Sequence, residues 1–423
     1  MSEESEDFLV ASLVRREWLV DGLMRPVVGP YIQYLRTLRY ADNTIRSYLK
    51  AIAHFAHWGK GKRVRLPNVN ETLVWRFIRD HLPVCDCQPP CARHLINARP
   101  ALKHLIVVLR QQGYVCKEPL RATPASREIT KFRKYLLETC GFVEATTVYY
   151  RTKNVADFLA GQFGIGKVDI SSVTPSDIDK CIMEYAERWR RASLSVLRSS
   201  LRSYLKFRAL QGDEIRHLVA ALPVLADWSK ATLRKALSED QLVRFVKAFD
   251  ITKPIGQRDY AIARCLVDLG LRGCEVANLT IESVDWRSSI LTVADTKGRH
   301  VLQLPLPWQT GKAIACYLRH GRPVTTHRAL FVHHEAPVGA PLHVAGIRSA
   351  MQYAFERCGL DDQFCSTHAL RHTVATRLQR SGASLKDIAD VLGHRSLQST
   401  MSYARVDLEG LRTVSLPWPG SRP

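Results

Sequence analysis

Helical periodicity runs through most of this chain and is broken in one short region, between Ser289 and Leu306. There the sequence SILTVADTKGRHVLQLPL reads strand, turn, strand: Thr292, Val293, Val301 and Leu302 suit a pleated surface, and Lys297-Gly298 supplies the turn. The fold class expected is therefore mainly α and multidomain, with a small antiparallel sheet confined to a mixed α/β last block.

Three blocks follow from the punctuation. Ser238-Glu-Asp-Gln241, just ahead of the apolar run Leu242, Val243, Phe245 and Val246, is a capping box and marks the start of the last block. Leu222 to Lys235 carries Pro223 and no sustained period, and Gly113 to Arg127 carries two prolines, so both read as linkers. The boundaries expected are a leader at 1–28, a helical module at 29–113, a linker at 114–128, and a second helical module at 129–215. A further linker at 216–235, the last block at 236–412 and a tail at 413–423 complete the chain.

The first two blocks resemble each other. Thr44, Tyr48 and Phe55 are echoed by Thr146, Tyr150 and Phe158, and Val69, Val74 and Ile78 by Val173, Ile178 and Ile182. Leu102, Leu105, Ile106 and Gly113 match Leu201, Tyr204, Leu205 and Gly212 at one constant offset. Similar stretches in the same order suggest a duplicated helical module. In the helix read over Arg188 to Leu210, Leu194, Leu197, Leu201 and Leu205 form a buried stripe. Arg198, Arg202 and Lys206 form a basic stripe beside it, which suits a phosphate backbone as well as it suits a solvated face.

Charge narrows the partners. The 423 residues carry a formal charge of +21, and such an excess attracts polyanions, of which nucleic acid is the commonest. No apolar run approaches the roughly 20 residues that span a bilayer, and Met1 to Val10 has no signal-peptide pattern. A soluble, cytoplasmic and nucleoid-associated protein with no membrane partner is expected. Eleven scattered cysteines fit reduced thiols better than a disulfide framework.

The last block holds five places whose residue types carry chemistry. Arg272 and Glu275 lie within LVDLGLRGCEVANLT, and Lys297 sits at the expected hairpin tip. His368 and Arg371 lie one turn apart in HALRHT, Leu392-Gly393-His394 ends a helix, and Tyr403 follows His394 by nine residues. Each is weak alone; a Lys-Gly is most often just a turn, and a lone tyrosine is most often core. The set, in this order, resembles the tyrosine recombinase (phage integrase) family, whose pattern is Arg, Lys, His-x-x-Arg, His or Trp, then Tyr. The resemblance covers about 236 to 412 and extends weakly over 129 to 215. Leu269 before Gly270 departs from the family, which often has Thr there.

That resemblance implies a site-specific recombinase that cleaves and rejoins double-stranded DNA through a covalent 3′-phosphotyrosyl bond, with no cofactor for catalysis. Tyr403 would be the nucleophile, and Arg272 and Arg371 would neutralise the transition-state phosphate with guanidinium forks that stay charged. His394 would add a hydrogen bond to a non-bridging oxygen. His368 would act as general base or as its orienting partner, and Lys297 would protonate the departing 5′-oxygen. Glu275 is expected to orient a neighbour, and His372 to be a buried structural histidine. The resemblance also implies a homo-tetramer on paired sites, with or without related recombinases. The two helical modules would bind DNA, and the last block would be catalytic. Two alternatives stay open here: a type IB topoisomerase-like nicking-closing enzyme, and a non-catalytic DNA-binding regulator on the same fold.

One cluster stands apart from that chemistry. The run from His81 to His94 gathers Cys85, Cys87 and Cys91, and Cys85, Cys87, Cys91 and His94 are the natural choice for a structural zinc site. The spacing is not a paired C-x-x-C knuckle, so free thiols in a loop remain the alternative reading.

Overall fold

The computed structural model describes residues 9–10, 13, 16–20, 22–87, 94–115, 123–142, 145–164, 166–188, 191–223, 236–294, 301–364 and 366–393. It is mostly helical with one three-stranded antiparallel sheet, the fold class expected from the periodicity. The chain divides into two compact units, Glu118–Thr232 and the combination of Met1–Lys117 with Leu233–Pro423. No helix among the described residues is long and apolar enough to cross a membrane.

Residues 9–115 form one apolar core. Its helices are α1 (Glu17–Val20), α2 (Val28–Thr37), α3 (Asp42–Gly61), α4 (Glu71–Arg76) and α5 (Leu95–Gln111). Helix α3 presents Ile45, Leu49, Ile52 and Phe55 at three- and four-residue steps, all fully buried, and packs against α5. The Asn70 side chain accepts the Leu73 N–H and so starts α4, whose end widens into a π-turn over Phe77–His81.

The unit Glu118–Thr232 has its own core, built by α6 (Pro124–Lys134), α7 (Ala145–Phe163), α8 (Pro175–Arg188), α9 (Arg191–Leu210) and α10 (Arg216–Ala221). Its order repeats that of the first module: a shorter helix, a long helix, a 3-10 turn, a helix, and a second long helix packed on the first. Several matched positions do matched work. Val69 and Val173 both end the 3-10 turn as buried residues, and Gly113 and Gly212 both turn the chain at positive φ beyond the last long helix. Tyr48 and Tyr150 differ, the first buried and the second half exposed. Helix α6 begins inside the segment that the prolines had marked as linker. The Thr123 side chain caps it and Pro124 takes the first helical position, where a missing N–H costs nothing. Residues 116–122 of the first linker and 224–235 of the second lie outside the described residues.

The last block is organised around α12 (Pro254–Leu269), whose Ala261, Ile262, Cys265 and Leu266 are fully buried. It is preceded by α11 (Glu239–Lys247), where Ser238 and Gln241 form both halves of the expected capping box. After α13 (Gly273–Ala277) come β1 (Val284–Asp285), β2 (Ile290–Val293) and β3 (Leu302–Pro305), in antiparallel order β1-β2-β3. Register is set by burial: Leu291, Val293 and Leu304 face the core, and Val293 pairs with Leu302. Helices α14 (Trp308–Cys316), α15 (Val344–Arg357) and α16 (Thr367–Arg380) pack on α12, and α17 (Leu385–Leu392) packs on α16.

Candidate active site

Gly270 ends α12 in the left-handed conformation, with φ of 62°. A Cβ there would stand 2.7 Å from Leu392 Cδ2 and 3.2 Å from Val374 Cγ1, so the glycine lets α16 and α17 approach the end of α12. Two residues on, Arg272 takes the N-cap position of α13 in extended backbone rather than a place within a helix. Glu275, in the first turn of α13, reaches back: its Oε2 accepts the Arg272 main-chain N–H at 2.7 Å and its Oε1 accepts Arg272 Nη1 at 2.5 Å. The side chain of Glu275 is only 2% exposed.

Arg371 arrives from α16, ninety-nine positions later in the chain, and is buried. Its Nη1 donates to the Gly270 carbonyl at 2.7 Å and its Nη2 donates to the Leu392 carbonyl. Both acceptors lie at helix C-termini, where the macrodipole presents partial negative charge to a cation. The same Nη1 stands 3.9 Å from Glu275 Oε2. One buried carboxylate therefore lies between two guanidiniums. Arg272 Nη2 also donates to the Gly393 carbonyl at 3.4 Å. Both arginines thus meet at the end of α17, where Gly393 caps the helix at φ of 59°.

Among the described residues, this cluster sets two guanidiniums around one carboxylate. Guanidinium forks match a phosphate's oxygens in geometry as well as sign.

His368 lies in the first turn of α16 with its side chain exposed, on the same helix as Arg371. His372 is buried in that helix, and next to it Thr373 Oγ1 accepts the Leu237 N–H at 2.9 Å, fixing α16 to the start of the block. Lys297, His394 and Tyr403 lie outside the described residues. In the sequence, Lys297 falls between β2 and β3, and His394 follows Gly393. Burial pushes the Cys265 thiol in α12 up to about 12, which makes it a core group rather than a nucleophile.

On α9, Leu194, Leu197, Leu201 and Leu205 are buried, Arg202 and Lys206 are exposed, and Arg198 is half-buried. Sequence reasoning missed the groove beside this helix. It is lined by Thr146, Thr147, Tyr150 and Arg151 from α7 and by Ser195, Val196 and Ser199 from α9. Arg151 Nη2 donates to Ser199 Oγ at 3.2 Å across it. The exposed doublet Tyr149-Tyr150, directly before Arg151 in the sequence, was the available signal.

The cysteine cluster is rearranged relative to expectation. Cys85 and Cys87 gather with His54 and His81, not with His94, which is exposed at the start of α5. Cys91 lies outside the described residues. The sequence window that contained the cysteines did not contain His54, which comes from α3.

Comparison with known proteins agrees with the geometry. Residues 235–409 match the model of the phage integrase family. The chain is 32% identical over 403 residues to a Sinorhizobium fredii protein named "Putative integrase/recombinase y4rA", covering 95% of this chain and 96% of that one. It is 30% identical over 296 residues to tyrosine recombinase XerC of Oceanobacillus iheyensis, covering 67% and 93% of the two chains. Among solved structures, the fold is similar to the XerH site-specific recombinase bound to palindromic difH substrate. The TM-score is 0.54 at 16% identity, over 70% of this chain and 97% of that one. It is also similar to the Tn1549 transposon integrase in complex with a circular intermediate DNA, with a TM-score of 0.51 at 19% identity over 67% and 99%.

Proposed function

Since this chain belongs to the phage integrase family of tyrosine recombinases, enzymes of DNA cleavage and religation, we propose that it is a site-specific DNA recombinase acting through Tyr403. The observation that carries this reading is the convergence of Arg272 and Arg371 on one buried carboxylate and one helix end.

In this reading the two guanidiniums hold the non-bridging oxygens of the scissile phosphate. Tyr403 Oη attacks phosphorus, the Oη–P bond forms, and the bond from phosphorus to the 5′-oxygen breaks. The phenol, with an ordinary pKa of about 10, gives its proton to His368 as it attacks. Lys297 supplies the proton that the departing 5′-oxygen needs, and His394 donates to a non-bridging oxygen. The 3′-phosphotyrosyl bond conserves the energy of the phosphodiester, so a 5′-hydroxyl reverses the step without ATP. Charge stabilisation by the arginines replaces a metal in this scheme; one such preorganised donor is worth about 3–4 kcal/mol.

The division of labour proposed is a catalytic domain at 236–412, a core-binding module at 129–215 and an additional DNA-binding module at 29–113. Arg198, Arg202 and Lys206 would contact phosphates of double-stranded DNA. The active assembly would be a homo-tetramer on paired sites. The DNA-bound relatives XerH and Tn1549 integrase support a duplex partner.

The test uses nicked suicide duplexes made from DNA flanking the gene, incubated without added divalent cations. Wild type should give a denaturant-resistant protein–DNA adduct and Tyr403→Phe none. An equal yield from Tyr403→Phe would remove that tyrosine as nucleophile. Wild type that binds the duplex and never forms an adduct would remove the cleavage reading.

A further inference from the structure

Four metal-ligating side chains meet in the first module: His54, His81, Cys85 and Cys87. Their donor atoms all lie within 4.8 Å of one another. His54 Nε2 is 3.2 Å from His81 Nε2 and 3.3 Å from Cys85 Sγ, and Cys87 Sγ is 3.6 Å from His81 Nε2. We propose that this chain carries a structural zinc ion held by His54, His81, Cys85 and Cys87.

Three of the six donor–donor distances match a tetrahedral zinc site. With zinc–nitrogen bonds near 2.0–2.1 Å and zinc–sulfur bonds near 2.3 Å, tetrahedral angles place two nitrogens about 3.4 Å apart and a nitrogen and a sulfur about 3.6 Å apart. The three distances above lie within about 0.3 Å of those values. Two imidazoles and two thiols bring their four donor atoms close enough together for one ion to be shared among them. Two thiolates and Zn²⁺ also sum to zero charge, which suits a site walled by the rings of Phe77 and Trp58. Nitrogen and thiolate donors in a closed four-ligand set select zinc over the oxygen-seeking cations.

The location says what the ion does. His54 is fully buried on α3, while His81 closes the π-turn after α4 and Cys85 and Cys87 follow it, all three half-buried. The ion ties that segment to the central helix of the first module. It is a fastening within that module, independent of the recombinase reading.

The full-length protein, expressed with zinc available and gel-filtered, should carry about one zinc per chain by mass spectrometry of the metal. Replacing zinc with cobalt should give the intense visible bands of a tetrahedral site and a thiolate charge-transfer band sized for two sulfurs. His81→Ala and Cys87→Ser should lower zinc content at least about tenfold, while Cys91→Ser and His94→Ala should leave it unchanged. No bound zinc in the wild type would overturn the proposal. So would a charge-transfer band sized for three thiolates, or loss of zinc on Cys91→Ser or His94→Ala. The cobalt spectrum is read on the unaltered chain, so a variant that fails to fold does not blunt the test.

Discussion

Glu275 is the residue on which the candidate site turns. It is buried, it fixes the Arg272 main chain and guanidinium, and it stands within ion-pair distance of Arg371. Gln at this position keeps the shape and removes the charge. The lost charge-assisted hydrogen bond is worth about 1.5–3 kcal/mol, so single-turnover cleavage by Glu275→Gln should fall roughly 10- to 100-fold. Affinity for duplex DNA should change far less, because the duplex is held through many phosphates. Equal losses in cleavage and affinity would make Glu275 a support of the fold alone. The residue types at 272, 275 and 371 were legible in the sequence. That one carboxylate serves both arginines was not, because the pairing spans about a hundred residues and depends on how three helix ends meet.

At the scale of elements, the site is built from helix termini. The C-terminal carbonyls of α12 and α17 receive Arg371, and the start of α13 carries Arg272. Gly270 makes the meeting geometrically possible. Gly270→Ala would force a left-handed alanine, costing about 1–2 kcal/mol, and would press its methyl against Leu392 and Val374. The melting temperature should fall by a few degrees, and cleavage should fall further than stability explains, since the Arg371 acceptors move with the two helix ends. Intact cleavage in a destabilised Gly270→Ala protein would show that the site tolerates their displacement. The pairing of β2 with β3 and the capping box at Ser238 were legible because each is a local pattern. The start of α6 was misread because a proline marks both a linker and a first helical turn, and only the capping bond from Thr123 separates the two.

At the scale of the molecule, the charge of +21 and the exposed pair Arg202 and Lys206 on α9 argue for binding through the phosphate backbone. Affinity for duplex DNA should fall steeply with salt, and each phosphate contact contributes about 0.9 to the slope of log K against log salt. The double variant Arg202→Gln/Lys206→Gln should therefore flatten that slope by about 2. An unchanged slope would make the stripe a solvated face.

The sequence by itself determined the helical class, the place of the sheet, the family and the residue types of the chemistry. Those features reside in short-range periodicity and in ordered motifs, which survive without coordinates. Only the tertiary structure decided which groups meet. It brought Arg272, Glu275 and Arg371 to the ends of α12 and α17, and it exchanged His94 for His54 beside the cysteines. Such meetings are made when apolar stripes on distant helices pack together, and the separation along the chain carries no record of which side chains that packing will bring within reach.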